Sequence, residues 1–292
     1  MARYLDPKND LPFKRIFGEH SDLLKSFLNA LMPLNKNQQI VSLDYIPAEQ
    51  VPENPAKKNS IVDVLCKDNY GRRFVVEMQM LWTNYFTRRM VFNASKAYVR
   101  QLNKGEYYHL LQPVYGLAIL NESFDSQTPE FYHHYRIVNY RNTEEVIEGL
   151  EFVMIELPKF EAEKWADRRM AVLWLRFLKE VAEDMQDVPE EFNENEDIRK
   201  ALDICREGGF TEAELAAYEK YWDNISIEKS LIYESIESEA KGRAKGREEG
   251  IAEGREKSLI NVVINCSRNG LSVEQIQAIT GLVEEKILEI LR

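Results

Sequence analysis

The sequence predicts an α/β fold, a mixed central sheet flanked by helices, followed by a helical C-terminal region. Three observations predict it. Apolar residues recur at a helical period from Phe13 to Leu31, short β-branched runs alternate with helical stretches as far as residue 160, and the pattern beyond residue 161 is helical. With 292 residues, 44% hydrophobic and 30% charged, the chain is an ordinary globular one and wholesale disorder is excluded.

The first helix starts at Asn9-Asp10-Leu11-Pro12, with Asp10 as a candidate cap and Pro12 in the first turn. It carries Phe13, Ile16, Phe17, Leu23, Leu24, Phe27, Leu28 and Leu31, is interrupted around Gly18, and stops at Pro33. Residues 40–46 read as a strand, and Pro47, Pro52 and Pro55 make residues 47–59 a stiff loop. Residues 61–66 and 74–80 form a hairpin on their β-branched content, turning over residues 67–73. A helix over residues 84–103 follows, then strands over 114–120, 135–140 and 151–157, and an amphipathic helix over 165–181.

Residues 180–197 hold nine acidic residues and no basic one, the composition of a solvated connector. Gly242, Gly246, Gly250 and Gly254 then recur at a spacing of four inside a charged, helical stretch. Glycines so spaced either give a flat strip along which a second helix can approach, joining copies into a homo-oligomer, or, since each costs about 1 kcal/mol of helix stability, mark a flexible charged tether. In residues 268–282, Ser272 reads as a helix cap and Gly281 as a turn, similar to small helix-turn-helix pieces. The helix that follows is mostly acidic, which favours contact with protein over the reading of DNA. Three regions result: 1–160, an α/β domain; 161–235, a helical extension with the acidic connector; and 236–292, the glycine-repeat helix and a small helical module.

The net charge of -11 hides an asymmetry. Residues 1–110 contain 16 basic against 11 acidic side chains, and the remainder 22 against 38, so the first third alone suits a phosphate backbone. Three scattered cysteines offer neither a disulfide framework nor a zinc motif, and fit a reducing cytoplasm. Neither a membrane span nor a glycine-rich nucleotide loop occurs, so no membrane and no nucleotide cofactor is expected. The four histidines show no metal-ligand spacing.

The hairpin is the informative place. With the turn centred on Tyr70, opposing residue numbers sum to 140, which sets Asp63 opposite Glu77, Ile61 opposite Gln79 and Leu65 opposite Val75 on one face. Val62, Val64, Cys66, Phe74, Val76, Met78 and Met80 form the other face, wholly apolar. Two carboxylates directly opposite repel one another. Either their face is the solvent side of the hairpin, or a divalent cation such as Mg²⁺ reverses the repulsion. The next helix carries Arg88, Arg89, Lys96 and Arg100 among aromatic residues. At about 100° per residue, Arg89, Lys96 and Arg100 share a side and Arg88 lies about a quarter-turn away. Such a helix is either a solvated face or a seat for DNA phosphates.

These residues also carry a resemblance. Asp63 in an apolar strand, then Glu77-x-Gln79 in the next, with helices before and after, resembles the core of the PD-(D/E)XK nuclease superfamily. Asn9-Asp10-x-x-Phe13-Lys14-x-x-Phe17, Ile61-Val62-Asp63-Val64, Val76-Glu77-Met78-Gln79, Arg88-Arg89 and Tyr98 are similar more narrowly to the Rpn family of recombination-promoting nucleases and transposases. The resemblance implies a restriction-endonuclease-like core, an Mg²⁺-dependent DNA endonuclease tied to recombination or mobile elements, and Asp63, Glu77 and Gln79 as its catalytic residues. It implies Asp63, Glu77 and the Met78 carbonyl as metal ligands. Asp10 is a candidate for one more ligand, and Lys14, Arg88, Arg89, Lys96 and Arg100 are the expected contacts to DNA. Gln79 stands where the pattern usually has lysine, and an amide cannot offset developing negative charge as an ammonium does. Either the metal takes on more of the work, or a nearby Lys14 or Arg88 supplies the charge. The departure also leaves open a catalytically silent nuclease-fold scaffold or nucleic-acid-binding protein.

Overall fold

The computed structural model describes residues 3–50 and 60–292. It divides into two compact units, residues 1–226 and 227–292. The first opens with α1 (Asp10–Glu19) and α2 (Ser21–Leu31), two helices where the periodicity suggested one interrupted helix. The cap of α1 is Asn9, whose side chain accepts the Leu11 N–H at 3.0 Å, not Asp10, which is the first helical residue. The sheet comprises β1 (Leu43–Tyr45), β4 (Val64–Asp68), β5 (Arg73–Gln79), β6 (Val114–Leu120), β7 (Tyr132–Asn139) and β8 (Asn142–Glu156); β2 (Glu49–Gln50) and β3 (Ser60–Ile61) form a separate pair. The stiff loop expected over residues 47–59 lies mostly outside the described residues.

Spatial order in the sheet is β1, β4, β5, β6, β8, β7. β4 and β5 are antiparallel, while β5, β6 and β8 run parallel, so the sheet is mixed. The parallel step from β5 to β6 requires a crossover, and α3 (Phe86–Val99) supplies it. It lies close on the sheet because β6 has Gly116 beneath it. A β-carbon there would sit 2.8 Å from Phe152 Cδ1 and 3.0 Å from Met90 Cε.

α3 covers one face of the sheet through Ala94, Ala97, Phe86 and Met90. The other face is covered by α1, α2 and α4 (Arg169–Glu180), in a core that includes Phe13, Phe17, Phe27 and Trp174. Buried on both sides, the sheet has no solvent face over β4 to β6. Leu65 and Val75, on the face shared with the carboxylates, are 4% and 1% exposed, which removes the solvated-hairpin reading.

The acidic stretch 180–197 is folded onto this second layer. It forms α5 (Glu190–Glu194) and the start of α6 (Glu196–Ile204), and Phe192 is fully buried against Phe177. Charge density at its surface positions hid one anchoring aromatic. The β7–β8 hairpin is longer than the sequence indicates, because residues 142–148 are mostly polar and exposed, and lack the alternation that marks a half-buried strand. The helix expected over 165–181 begins only at Arg169, after a 3₁₀ turn over Ala162–Trp165.

α7 (Glu212–Arg268) runs 57 residues and passes from the first unit into the second. Gly242, Gly246, Gly250 and Gly254 all lie in it and are exposed. The second unit closes with α8 (Val273–Thr280) and α9 (Glu284–Leu291) around Val263, Ile276 and Ile287. Ser272 caps α8 in a reciprocal pair with Gln275, and Gly281 ends it at φ 71°. Among the described residues, no helix is long and apolar enough to cross a membrane.

Phe192→Ala is expected to lower the unfolding free energy by about 3–5 kcal/mol in urea titration, the usual cost of truncating a fully buried phenylalanine. A loss below about 1 kcal/mol would mean that α5 is peripheral to the fold.

Candidate active site

The β4–β5 ladder follows the expected register, with Val64 opposite Val76 and Leu65 opposite Val75, and it stops there. At Asp63 the chain bends out of the strand. Ile61 pairs with Glu49 in β3 instead of lying opposite Gln79, and Val62 packs with Leu65 and Val75 instead of with Val64. Both departures from strict alternation have this one cause. Freed from the ladder, the Asp63 side chain takes the place of a main-chain partner: its Oδ2 accepts the Met78 N–H at 2.7 Å. In a strand a residue's N–H and C=O point to the same edge, so the Met78 carbonyl is directed to the Asp63 side as well.

Glu77 is 5% exposed and held on both oxygens. Asn93 Nδ2 donates to Oε1 at 2.8 Å, and Arg89 Nη2 donates to Oε2 at 3.3 Å. The same Arg89 nitrogen donates to Gln79 Oε1, and Gln79 Nε2 donates to the Leu81 carbonyl at 2.5 Å. Both ends of the amide are therefore engaged. Arg89 and Asn93 are four residues apart, one turn of α3, which aims both at the end of β5. The guanidinium also lies over the Phe86 ring, 5.1 Å from its centre.

The start of α1 completes the surroundings. Asp10 and Lys14 form an ion pair of 2.7 Å one helical turn apart, and both act electrostatically on Asp63. Burial pushes the Asp63 carboxyl up to about 7; the Met78 N–H opposes the rise, the Glu77 and Asp10 carboxylates add to it, and Lys14 offsets part of it. Among the described residues, no three His, Cys, Asp or Glu side chains gather as a metal set. The site is thus a pair of carboxylates plus a carbonyl, all hard oxygen donors, which suits an ion that binds one or two carboxylates and keeps much of its water. A half-buried carboxylate pushed toward its neutral form beside a second one is what a divalent cation would relieve.

The remaining basic residues run along α3. Arg88 is exposed at its first turn; Lys96 and Arg100 lie toward its end, near Arg73 of β5, whose guanidinium donates to the Ala97 carbonyl at 2.8 Å. Burial, and then Arg100, lower the pKa of both Arg73 and Lys96, so these three cations are neighbours. Arg89 and Asn93 are the residues whose roles the sequence did not disclose. From the sequence Arg89 reads only as a phosphate contact, and the one signal for Asn93 is a polar residue beside Ala94 and Ala97 on the buried side of a helix.

Residues 7–232 match the family described as PD-(D/E)XK nuclease family transposase. No curated protein and no solved structure matches the chain.

The Asp63 carboxyl sets a pH dependence whose sign follows from its raised pKa. Between its ordinary value of 3.8 and about 7 the folded chain binds the proton that the unfolded chain releases, so stability falls as pH rises through that window and levels off above it. At about 1.4 kcal/mol per unit, the effect is at most about 4 kcal/mol. In EDTA, Asp63→Asn is expected to flatten this fall in melting temperature between pH 4 and 8. Parallel profiles for the two proteins would show that Asp63 ionises normally.

Proposed function

The chain belongs to the PD-(D/E)XK nuclease family of transposases, and from that premise we propose that it is an Mg²⁺-dependent DNA endonuclease serving recombination or mobile-element movement. The observation that carries this reading is the half-buried Asp63 carboxyl, bonded to the Met78 N–H and set beside the buried Glu77 at the end of β5. Asp63, Glu77 and the Met78 carbonyl would hold the Mg²⁺, with Asp10 as the further carboxylate nearby. When bound, the ion supplies positive charge to the phosphate and makes water a better nucleophile at neutral pH.

The chain's own residues do the rest. Gln79 spends its oxygen on Arg89 and its NH₂ on Leu81, so it acts by orienting the guanidinium. Arg89, half exposed and planar, then stands in for the lysine of the family pattern: it stabilises charge developing on the phosphate oxygens but cannot accept a proton from water. That task falls to carboxylates. Lys14, Arg88, Lys96 and Arg100 would hold the DNA backbone on either side of the cut. Two copies meeting along the exposed glycine strip of α7 would bring two such sites into one assembly. Three free cysteines, two of them buried, suit a reducing cytoplasm.

Supercoiled-plasmid cleavage tests the reading. Nicking is expected with Mg²⁺, to be lost in EDTA and in Asp63→Ala, and to fall about 10²- to 10³-fold in Arg89→Ala, the loss typical of removing one charge-stabilising donor. Arg88→Ala should instead weaken DNA binding and lower its salt dependence. Equal cleavage by wild type and Asp63→Ala would move the site elsewhere. Inactivity with every divalent cation and substrate would favour a silent scaffold.

A further inference from the structure

Between α3 and β6 lies a loop that neither the fold nor the carboxylate site explains. Its neck is clamped: Gln101 Nε2 donates to the Gln112 carbonyl at 2.8 Å, and the Gln112 N–H returns a bond to Gln101 Oε1 at 2.9 Å. Within it, the Glu106 carboxylate accepts the Asn103 N–H at 2.6 Å, Gly105 turns at φ 94°, and Tyr108–Leu110 forms a 3₁₀ turn. The loop is ordered by its own bonds, yet residues 103–110 are all exposed. Tyr107 is 73% and Tyr108 85% exposed, and the Tyr107 ring stacks on His109 with centres 5.6 Å apart.

Holding two tyrosines outward on a clamped loop forgoes the burial that normally stabilises such side chains. What they face is set by their neighbours. The loop leaves α3 at Arg100 and carries the exposed Lys104, so in chain order basic residues run from Arg89 at the carboxylate site through Lys96 and Arg100 to the loop. From Arg89 to Arg100 the helix rises about 17 Å. A line of positive charge ending in exposed flat rings is the surface that binds an unpaired strand: phosphates follow the charge, and bases stack on the rings whatever their sequence. A duplex offers such rings no base face.

We propose that Tyr107 and Tyr108 form a stacking platform for unpaired DNA, so that the substrate is a strand, flap or junction with a single-stranded segment reaching from the cut past the C-terminal end of α3. The choice of DNA as occupant rests on the nuclease reading above.

Anisotropy titration of the full chain in EDTA, with a labelled 20-nucleotide single strand and the blunt duplex of the same sequence, tests the platform. Tyr108→Ala is expected to weaken single-strand binding about tenfold and duplex binding less than about twofold, with Tyr108→Phe close to wild type. Equal losses on both DNAs, no loss on either, or an equal loss in Tyr108→Phe would overturn it. So would tight binding of anionic phospholipid vesicles that Tyr108→Ala abolishes, since the loop would then be a membrane contact. The two readings fail separately: tyrosine-dependent strand binding without Mg²⁺-dependent cleavage sinks the nuclease alone, and cleavage without tyrosine dependence sinks the platform alone.

Discussion

A carboxylate placed in a sheet that is covered on both faces must have its charge shared, or it takes up a proton. Glu77 lies in that position, near the end of β5 and beneath α3, and its two oxygens are taken up by Asn93 and Arg89 from that helix. Asp63 meets the same constraint differently. By leaving the β4 ladder it bonds a main-chain N–H of β5, and its pKa still stays high. The bend at Asp63 and the end of the ladder at Val64 go with this one accommodation. Regular pairing through residue 63 would leave two carboxylates face to face with no third group between them.

The glutamine at 79 takes its meaning from the same helix. A lysine there would carry its charge on the strand itself. Here the charge arrives from α3, and the amide, engaged at both ends, fixes where the guanidinium stands. Arginine suits this arrangement because its planar fork can bond Glu77 and Gln79 while keeping further N–H groups for a phosphate, and because its charge persists at any working pH. The substitution therefore changes where the cation is rooted and removes its capacity for proton transfer.

How much of this was legible in the sequence varies with the type of information. The hairpin register, the strand Val114–Leu120 and the Ser272 and Gly281 helix boundaries were readable, since each depends on local turn chemistry or on an uninterrupted apolar run. The two carboxylates were readable because charge inside apolar strands is anomalous. What escaped depends on contacts distant in sequence. The exit of Asp63 from its strand is caused by a bond to Met78, fifteen residues on. Helical period sets Arg89 on the side of Lys96 and Arg100, but its bonds to Glu77 and Gln79 lie outside what that period can show. Residues 180–197 read as a tether because nine charges outweighed Phe192, although one deeply buried ring suffices to hold a short helix.

The charge asymmetry along the chain becomes an asymmetry of layers. The basic surplus of residues 1–110 is displayed largely on α3 and the loop after it, on one face of the sheet. The acidic stretch 180–197 folds with α4, α5 and α6 on the other face. A polyanion near this unit therefore meets attraction on the α3 side and repulsion behind it, which orients approach before any contact forms. The carboxylate pair sits at the end of β5, near the first turns of α3 and within electrostatic reach of Asp10 and Lys14 at the start of α1. An acidic net charge of -11 is thus compatible with a local surface, the α3 layer, that would attract a polyanion toward Glu77 and Arg89.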